Sequence, residues 1–273
     1  GTVGLLVALW SDRRMWRRAC RLVLLGVVGL LVAVLVVGTS ANGATRWLAA
    51  GPIQVQPSEL AKVALIVFVA DLLARRSREV DDPRRTVWPV LGVTGAVAAL
   101  VLVQPNLGTT LIIVAIVAAM LLTAGVSLRL LGVATAVAAA GAALLVWFEP
   151  YRRRRLLAMF DPWANESGSG YQAIQAHVGL ADGGLTGLGL GQSRAKWGYL
   201  PYAHTDFVFA IIGEELGLIG ALLTLSLFVG LAFVGVRAAT AAADRFSTLV
   251  AAGLTTWFVS QAFLNVGVVV GLL

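Results

Sequence analysis

The sequence predicts an all-α protein: a polytopic membrane helix bundle with one large extracytoplasmic loop. Two observations lead there. Of 273 residues, 59% are apolar and only 13% charged, whereas a soluble domain carries about 45–50% apolar and about 25% charged residues. The apolar residues also fall into runs of the length a bilayer demands, about 20 residues per helix, with the charges in short clusters between them. This pattern excludes an ordinary cytosolic globule and a disordered chain. A single cysteine, Cys20, permits no internal disulfide and no cysteine metal site. The net charge of +7 reads as membrane topology and not as nucleic-acid binding, because the arginines gather in loops. Long apolar runs argue equally against a transmembrane barrel, whose strands alternate with period two.

Taken in order, residues 1–10 read as the tail of a span. Full spans are predicted at 22–38, 59–74, 88–103, 109–124, 130–148, 207–236 and 247–273. The chain thus divides into N-terminal transmembrane helices (1–148), the large loop (149–205) and two C-terminal helices (206–273). It begins at Gly1 and ends at Leu273 inside apolar runs, and is expected to be a fragment. Small residues at Gly213, Gly217 and Gly220–Ala221 suit close helix packing in lipid.

Loop charge sets the orientation. Arg13, Arg14, Arg17, Arg18 and Arg21 precede the first full span, and Arg75, Arg76, Arg78, Arg84 and Arg85 separate the second from the third. Arg129 follows the fourth span, and Arg237 and Arg245 separate the last two. If each span crosses once, all of these fall on one side, which the positive-inside rule makes the cytoplasm. The 149–205 loop then lies outside despite Arg152, Arg153, Arg154, Arg155, Arg194 and Lys196, since long loops translocate largely regardless of charge. Its arginine run is either a solvated or headgroup-facing anchor, or a site for a phosphate-bearing ligand, which the arginine fork suits.

Polar groups inside apolar runs cost roughly 2.5–3.5 kcal/mol each on insertion and are functional candidates by default. Three places qualify. In Gln56-Pro57-Ser58-Glu59-Leu60-Ala61-Lys62, proline fits a helix start, and Glu59 and Lys62 share a face as i and i+3. They form either a structural ion pair or a ligand contact, with Arg46 and Trp47 in the preceding loop facing the same ligand or the headgroups. In His204-Thr205-Asp206-Phe207, Asp206 stands at a water–lipid boundary, where an apolar wall would raise a carboxyl pKa toward use as a base; a helix cap is the alternative role. Glu214 and Glu215 lie about two turns deeper. They read as a proton relay or, preferably, as a protonated or arginine-paired structural group, and adjacent residues are not expected to share one partner. His177 and His204 are too few for a zinc site, and the sequon Asn165-Glu166-Ser167 is a weak signal.

The run Tyr199-Leu200-Pro201-Tyr202-Ala203-His204-Thr205-Asp206-Phe207, continuing through Gly213-Glu214-Glu215-Leu216-Gly217, resembles the SEDS family (shape, elongation, division and sporulation). So do Gln56 to Lys62 and Gln104-Pro105-Asn106-Leu107-Gly108-Thr109. Glu149-Pro150-Tyr151-Arg152, Asp161-Pro162-Trp163 and Gly189-Leu190-Gly191-Gln192-Ser193 resemble its division-type members more than its elongation-type members. The likeness covers essentially the whole chain. Asn106 stands where the family more often has Asp and is assigned no catalytic role. The family's first helix and its closing helix are expected to lie outside this chain.

The resemblance implies a peptidoglycan glycosyltransferase of the bacterial cell membrane that polymerises lipid II outside the cytoplasm. Asp206 would be the catalytic acidic residue, working beside a class B penicillin-binding protein transpeptidase and other division proteins. Glu59 and Lys62 match conserved-motif positions. Glu59, Lys62, Arg46, Arg152, Arg153, Lys196 and His204 are the candidates for holding substrate. No organic cofactor and no nucleic-acid partner is implied; a divalent cation, Mg²⁺ or Mn²⁺, could share the charge stabilisation, without a dedicated site in the sequence. The alternatives are a lipid II flippase, with Glu59, Lys62, Glu214 and Glu215 lining a path, and a non-catalytic division scaffold.

Overall fold

The computed structural model describes residues 10–41, 44–50, 53–80, 82–148, 171–194 and 207–272. The chain divides into two compact units, Gly1–Val133 with Val234–Phe258, and Ala134–Phe233 with Val259–Leu273. Among the described residues the first unit opens with α1 (Arg13–Val37) and a three-stranded antiparallel sheet, β1 (Thr39–Ala41), β2 (Ala44–Ala50) and β3 (Ile53–Val55), in the order β1-β2-β3. Then come α2 (Pro57–Arg75), a π-helical turn (Pro83–Val87), α3 (Trp88–Val103) and α4 (Leu107–Ala124). Further along the chain lie α5 (Leu128–Phe148), α6 (Tyr171–Gly183), α7 (Val208–Thr240) and α8 (Arg245–Val269).

Local residues set several of these ends. Asp12 caps α1 by accepting from the Arg14 N–H at 3.2 Å. Pro57 occupies the first turn of α2, where its missing N–H costs nothing. Asn106 caps α4 through the Thr109 N–H at 3.3 Å, and Gly125, at φ 94°, closes it in the left-handed region. Cys20, Leu24, Val27, Leu31 and Val34 of α1 are buried at spacings of four and three, while Leu25, Val32 and Val36 are exposed. One face therefore packs on protein, and the other is apolar and exposed among the described residues, as a lipid-facing helix should be. By contrast α2 is buried on nearly all sides, with Ala61, Leu65, Ile66, Val69, Ala70 and Leu73 almost wholly covered. It packs against α1, α3 and α4 and is the central helix of its unit.

The loop arginines assemble as the charge pattern predicts. Asp71, at the end of α2, accepts from Arg17 Nε at 2.8 Å and from Arg75 Nε at 2.7 Å. Arg13 pairs with Asp244 in the α7–α8 turn, and Arg245 donates to the Ala124 carbonyl at the end of α4. Four predicted same-side loops thus meet at one end of the first unit. Arg17 also lies 5.5 Å above the Phe246 ring, holding the start of α1 to the start of α8.

Five helical stretches among the described residues are long and apolar enough to cross a membrane: α1, Pro83–Val103, α4, α7 and α8. The protein is a multi-pass membrane protein. Helix positions follow the predicted spans, but two elements were not foreseen. The sheet pairs Thr39 with Trp47 and Leu48 with Val55; its outer strands have only three residues each, and the seven of the middle one, Ala44–Ala50, do not alternate cleanly between apolar and polar. Helix α6 lies inside what read as one irregular loop.

Candidate functional site

In the first unit, Lys62 is the most deeply buried cation. Its side chain is 0% exposed, and Nζ lies 2.8 Å from Glu59 Oε1. One turn of helix brings the two together, as the i,i+3 spacing requires. Trp257 of α8 presents its ring 4.8 Å from the ammonium and stacks on Phe258 at 5.3 Å. Aromatic face and carboxylate together replace part of the hydration that Lys62 has lost. Glu59 remains 42% exposed. Glu59 is therefore the accessible member of the pair and Lys62 the enclosed one.

Arg46 on β2 donates from Nε to the Gln104 carbonyl at 3.1 Å and also to the Pro105 carbonyl. A cation there complements the free carbonyls at the end of α3. The Gln104 side chain is buried and donates to the Leu31 carbonyl at 3.0 Å. The motif Gln104-Pro105-Asn106 thus joins α1, β2 and the start of α4, with Asn106 acting as a cap.

The second unit holds another buried ionisable group, Glu214. Glu214 Oε2 accepts from the Ser193 hydroxyl at 2.6 Å, and Oε1 from the Arg194 N–H at 2.8 Å. Glu215 Oε1 accepts from the Ser193 N–H at 3.3 Å. This corrects the expectation that the adjacent glutamates cannot share a partner: Ser193 serves both, one through its hydroxyl and one through its main chain. Arg194 likewise engages Glu214 through its backbone.

Beside this contact α7 is broken. Gly217 takes φ 66° and ψ −165°, and residues 184–189 fill the gap. The Leu188 and Gly189 N–H groups donate to the Glu214 and Glu215 carbonyls, both at 3.0 Å. Below the break, the Leu218 and Ile219 N–H groups donate to the Gly184 and Leu185 carbonyls at 2.9 and 3.3 Å. Backbone groups freed inside an apolar helix must find partners within the protein, and these do. A side chain on Gly217 would strike the main chain of Leu185 and Gly187. Phe207 is buried among Ala176, Phe209, Ala210, Ala221 and Val269, fixing the start of α7 on α6 and the end of α8.

Of the residues singled out from sequence, the structure places Glu59, Lys62 and Arg46 in the first unit. Asp206, Arg152, Arg153, Lys196 and His204 lie outside the described residues. Sequence reasoning met Ser193 and Gln104 only as members of family motifs, without a role, and passed over Trp257. Among the described residues no three His, Cys, Asp or Glu side chains gather as a metal ion would need. Neither a cleft of about 260 Å³ lined by Thr123, Thr240, Thr248 and Thr255 nor another of about 350 Å³ at Arg13 and Asp244 is lined by Glu59 or Lys62.

The whole chain, residues 1–273, matches the family of FtsW, RodA and SpoVE, described as cell cycle proteins. It is 40% identical over 271 residues to the probable peptidoglycan glycosyltransferase FtsW of Escherichia coli, covering 98% of this chain and 66% of that protein. It is 37% identical to the stage V sporulation protein E of Bacillus subtilis, covering 100% of this chain and 75% of that protein. Among solved structures, it superposes on a chain of a peptidoglycan synthase complex that coordinates polymerisation and crosslinking, with a TM-score of 0.82, 29% identity, and coverage of 99% and 76%. The rod-shape-determining protein RodA of Thermus thermophilus gives a TM-score of 0.66 at 29% identity, with coverage of 97% and 70%. The chain spans about two thirds of the length of the E. coli relative.

Proposed function

Since this chain belongs to the FtsW/RodA/SpoVE family of cell cycle proteins, we propose that it is the core of a peptidoglycan glycosyltransferase that polymerises lipid II during cell division. The observation that carries this reading is the match over the full chain to proteins named for that activity, on a multi-pass bundle. Lipid II is a disaccharide-pentapeptide on a polyprenyl diphosphate. Its tail needs lipid, its diphosphate needs cations at the interface, and its sugars need water. In the proposed reaction the acceptor sugar hydroxyl attacks the donor anomeric carbon. Asp206 takes the hydroxyl proton as the new glycosidic bond forms, and the bond to the diphosphate oxygen breaks, releasing polyprenyl diphosphate.

General-base catalysis supplies about 10²–10⁴-fold. The remainder comes from holding both substrates in line and from cations facing the leaving diphosphate, a role for Arg152, Arg153 and Lys196, with His204 beside the base. Glu59, the accessible member of its ion pair, contacts substrate, and Lys62 holds Glu59 in place. Asp206 and its loop face the outside of the cytoplasmic membrane, and a class B penicillin-binding protein cross-links the product. The flippase alternative would draw on the buried charges as a path. Lys62 is instead paired with Glu59, and Glu214 holds Ser193 and Arg194, which favours the polymerase.

The test is polymerisation of fluorescent lipid II by the full-length protein with its transpeptidase partner in detergent, with and without chelator. Asp206→Asn at normal expression should lower strand synthesis by at least about 10²-fold. Undiminished synthesis by that variant refutes the base assignment, and wild-type protein that makes no polymer refutes the polymerase reading. A loss on chelation reversed by Mg²⁺ or Mn²⁺ would bring a divalent cation into the site.

A further inference from the structure

We propose that Arg14, Arg18 and Arg21, on the outer face of α1, form a binding site for an anionic phospholipid that carries two phosphodiester groups. The site rests on geometry in the first unit and is independent of the reaction proposed above.

The arginines that open α1 divide into two sets by helical phase. Arg13 and Arg17 turn toward protein, where Arg13 pairs with Asp244 and Arg17 with Asp71. Arg14, Arg18 and Arg21 follow one another at i, i+4 and i+7, which puts them on one stripe, and all three are exposed. None of the three has an ion pair among the described residues. The carboxylates near them are engaged: Asp12 accepts from the Arg14 N–H as the helix cap, and Asp244 holds Arg13 and Ser247. The other arginine-rich segment, 75–85, differs. There Arg75 pairs with Asp71, and Arg85 with Glu79 and Asp82, so counter-charges come with the cations. On the α1 stripe they do not.

The stripe runs straight into lipid-facing surface. Leu22, Leu25, Val32 and Val36 continue it and are exposed, away from the buried Cys20, Leu24, Val27, Leu31 and Val34. Gly29 lies on the same line with open space where a side chain would stand, which leaves a shallow notch for an acyl chain. The apolar run Leu22–Val37 is about 24 Å long, short of the about 30 Å of hydrocarbon in a bilayer. That mismatch draws Arg18 and Arg21 to the hydrocarbon edge, where long side chains reach back to the headgroups. Trp10 ahead of α1 and Trp88 at the start of α3 are both exposed, as tryptophans at a membrane interface are.

A guanidinium at that depth needs an anion, and lipid phosphate is the one at hand. The positive-inside rule makes this end cytoplasmic, the leaflet whose anionic lipids attract basic segments. The guanidinium fork suits a phosphate, to which it donates through two N–H groups. From Arg14 to Arg18 the helix rises about 6 Å, and from Arg18 to Arg21 about 4.5 Å. Each interval is bounded by two guanidinium groups and takes one phosphate. Two phosphates on one lipid occupy both, because the second binds as part of a molecule already held.

The experiment uses the full-length protein, stripped of lipid in detergent. Native mass spectrometry then counts bound cardiolipin, which has two phosphodiesters, against phosphatidylglycerol, which has one. Wild type should bind one cardiolipin at least about 10-fold more tightly than phosphatidylglycerol, and its unfolding midpoint should rise as cardiolipin is added. Arg18→Gln with Arg21→Gln should weaken cardiolipin binding about 10- to 100-fold and abolish that rise. Arg78→Gln with Arg84→Gln removes the same charge from the neighbouring loop and should leave the affinity nearly unchanged. If the Arg18 and Arg21 glutamine pair fails to insert, Arg18→Lys with Arg21→Lys keeps the charge that orients α1; loss of the fork should still weaken binding about threefold or more. Equal weakening in the two glutamine pairs overturns the proposal, since net charge alone would then attract the lipid. Equal affinity for the two lipids overturns it too. So does wild type that binds no cardiolipin, the result expected if another helix or an acidic partner segment covers the stripe.

Discussion

Lys62 and Glu214 are both ionisable groups withdrawn from water, and the two regions that hold them solve the problem differently. Around Lys62 the solution is charge: a carboxylate one turn away at 2.8 Å and an aromatic face at 4.8 Å. Around Glu214 the donors seen among the described residues are a serine hydroxyl and a main-chain N–H brought in by another segment. In the first arrangement the counter-charge is local, on the same helix as the cation, and only the aromatic face comes from elsewhere, on α8. The second is non-local, and as well as satisfying the glutamate it ties down a piece of chain. A buried charge that needs a counter-charge is fragile to neutralisation of its partner; a buried acceptor that needs donors is fragile to loss of shape.

The same conservative substitution should therefore have opposite consequences in the two regions. Glu59→Gln removes the counter-charge from a cation that stays buried. Breaking a buried pair from one side costs about 3–5 kcal/mol; because Glu59 is 42% exposed, water can partly replace it, and about 2–4 kcal/mol is expected. Glu214→Gln preserves acceptor and hydrogen-bonding shape and should cost less than about 1 kcal/mol. Thermal unfolding of both variants in the same detergent checks the pair. Equal losses would break the comparison. Replacing both members, Glu59→Gln with Lys62→Met, should recover most of the loss, since an apolar substitute for a buried pair is often neutral.

This contrast also explains what was legible in the sequence. Pro57 as a helix start and the Glu59–Lys62 pair are readable because their partners are three residues or fewer away. The basic end was readable because topology leaves its mark in composition. Arg17 and Asp71 are 54 residues apart, and Ser193 and Glu214 are 21 apart; nothing local announces either contact. The break at Gly217 was visible only as small-residue spacing, which reads as helix packing until the inserted 184–189 segment is seen. The sheet over Thr39–Val55 escaped because its strands pair through backbone groups that leave little trace in side-chain pattern. Arg46 read as a group facing ligand or headgroups, but its guanidinium lies on the carbonyls that end α3.

Asn106 sharpens the comparison at smaller amplitude. It caps α4 as a neutral acceptor, where the resemblance leads one to look for a carboxylate. If it behaves like the Glu214 region, shape should matter and charge should not. Asn106→Ala should cost about 1 kcal/mol, whereas Asn106→Asp should fall within a few tenths of wild type, because both residues are good caps and a helix N-terminus tolerates the negative charge. A large penalty for Asp, read in the same unfolding assay, would place Asn106 in the charge-dependent class with Lys62.

The smallest effect is expected where charge pairing is exposed. Asp244, in the α7–α8 turn, has its carboxyl held below the ordinary carboxylate range chiefly by the Ser247 N–H, with help from the Ser247 hydroxyl and Arg13 and against the opposing effect of burial. A carboxyl lowered in the folded state contributes stability that is fully present above its unfolded value and is lost as pH falls through its folded value. Its contribution should thus hold at neutral pH and fade only under acid conditions. With the side chain 40% exposed, solvent screening limits the pairing with Arg13 to about 0.2–1 kcal/mol. Asp244→Asn keeps an acceptor for the Ser247 N–H, so it should remove the acid-side slope from the unfolding midpoint while shifting the neutral-pH value little. Added salt should shrink the remaining difference from wild type, and should leave the Glu59→Gln penalty largely intact because Lys62 is out of reach of mobile ions. If salt acted equally on both, burial would not be what separates the charge-paired sites of this protein.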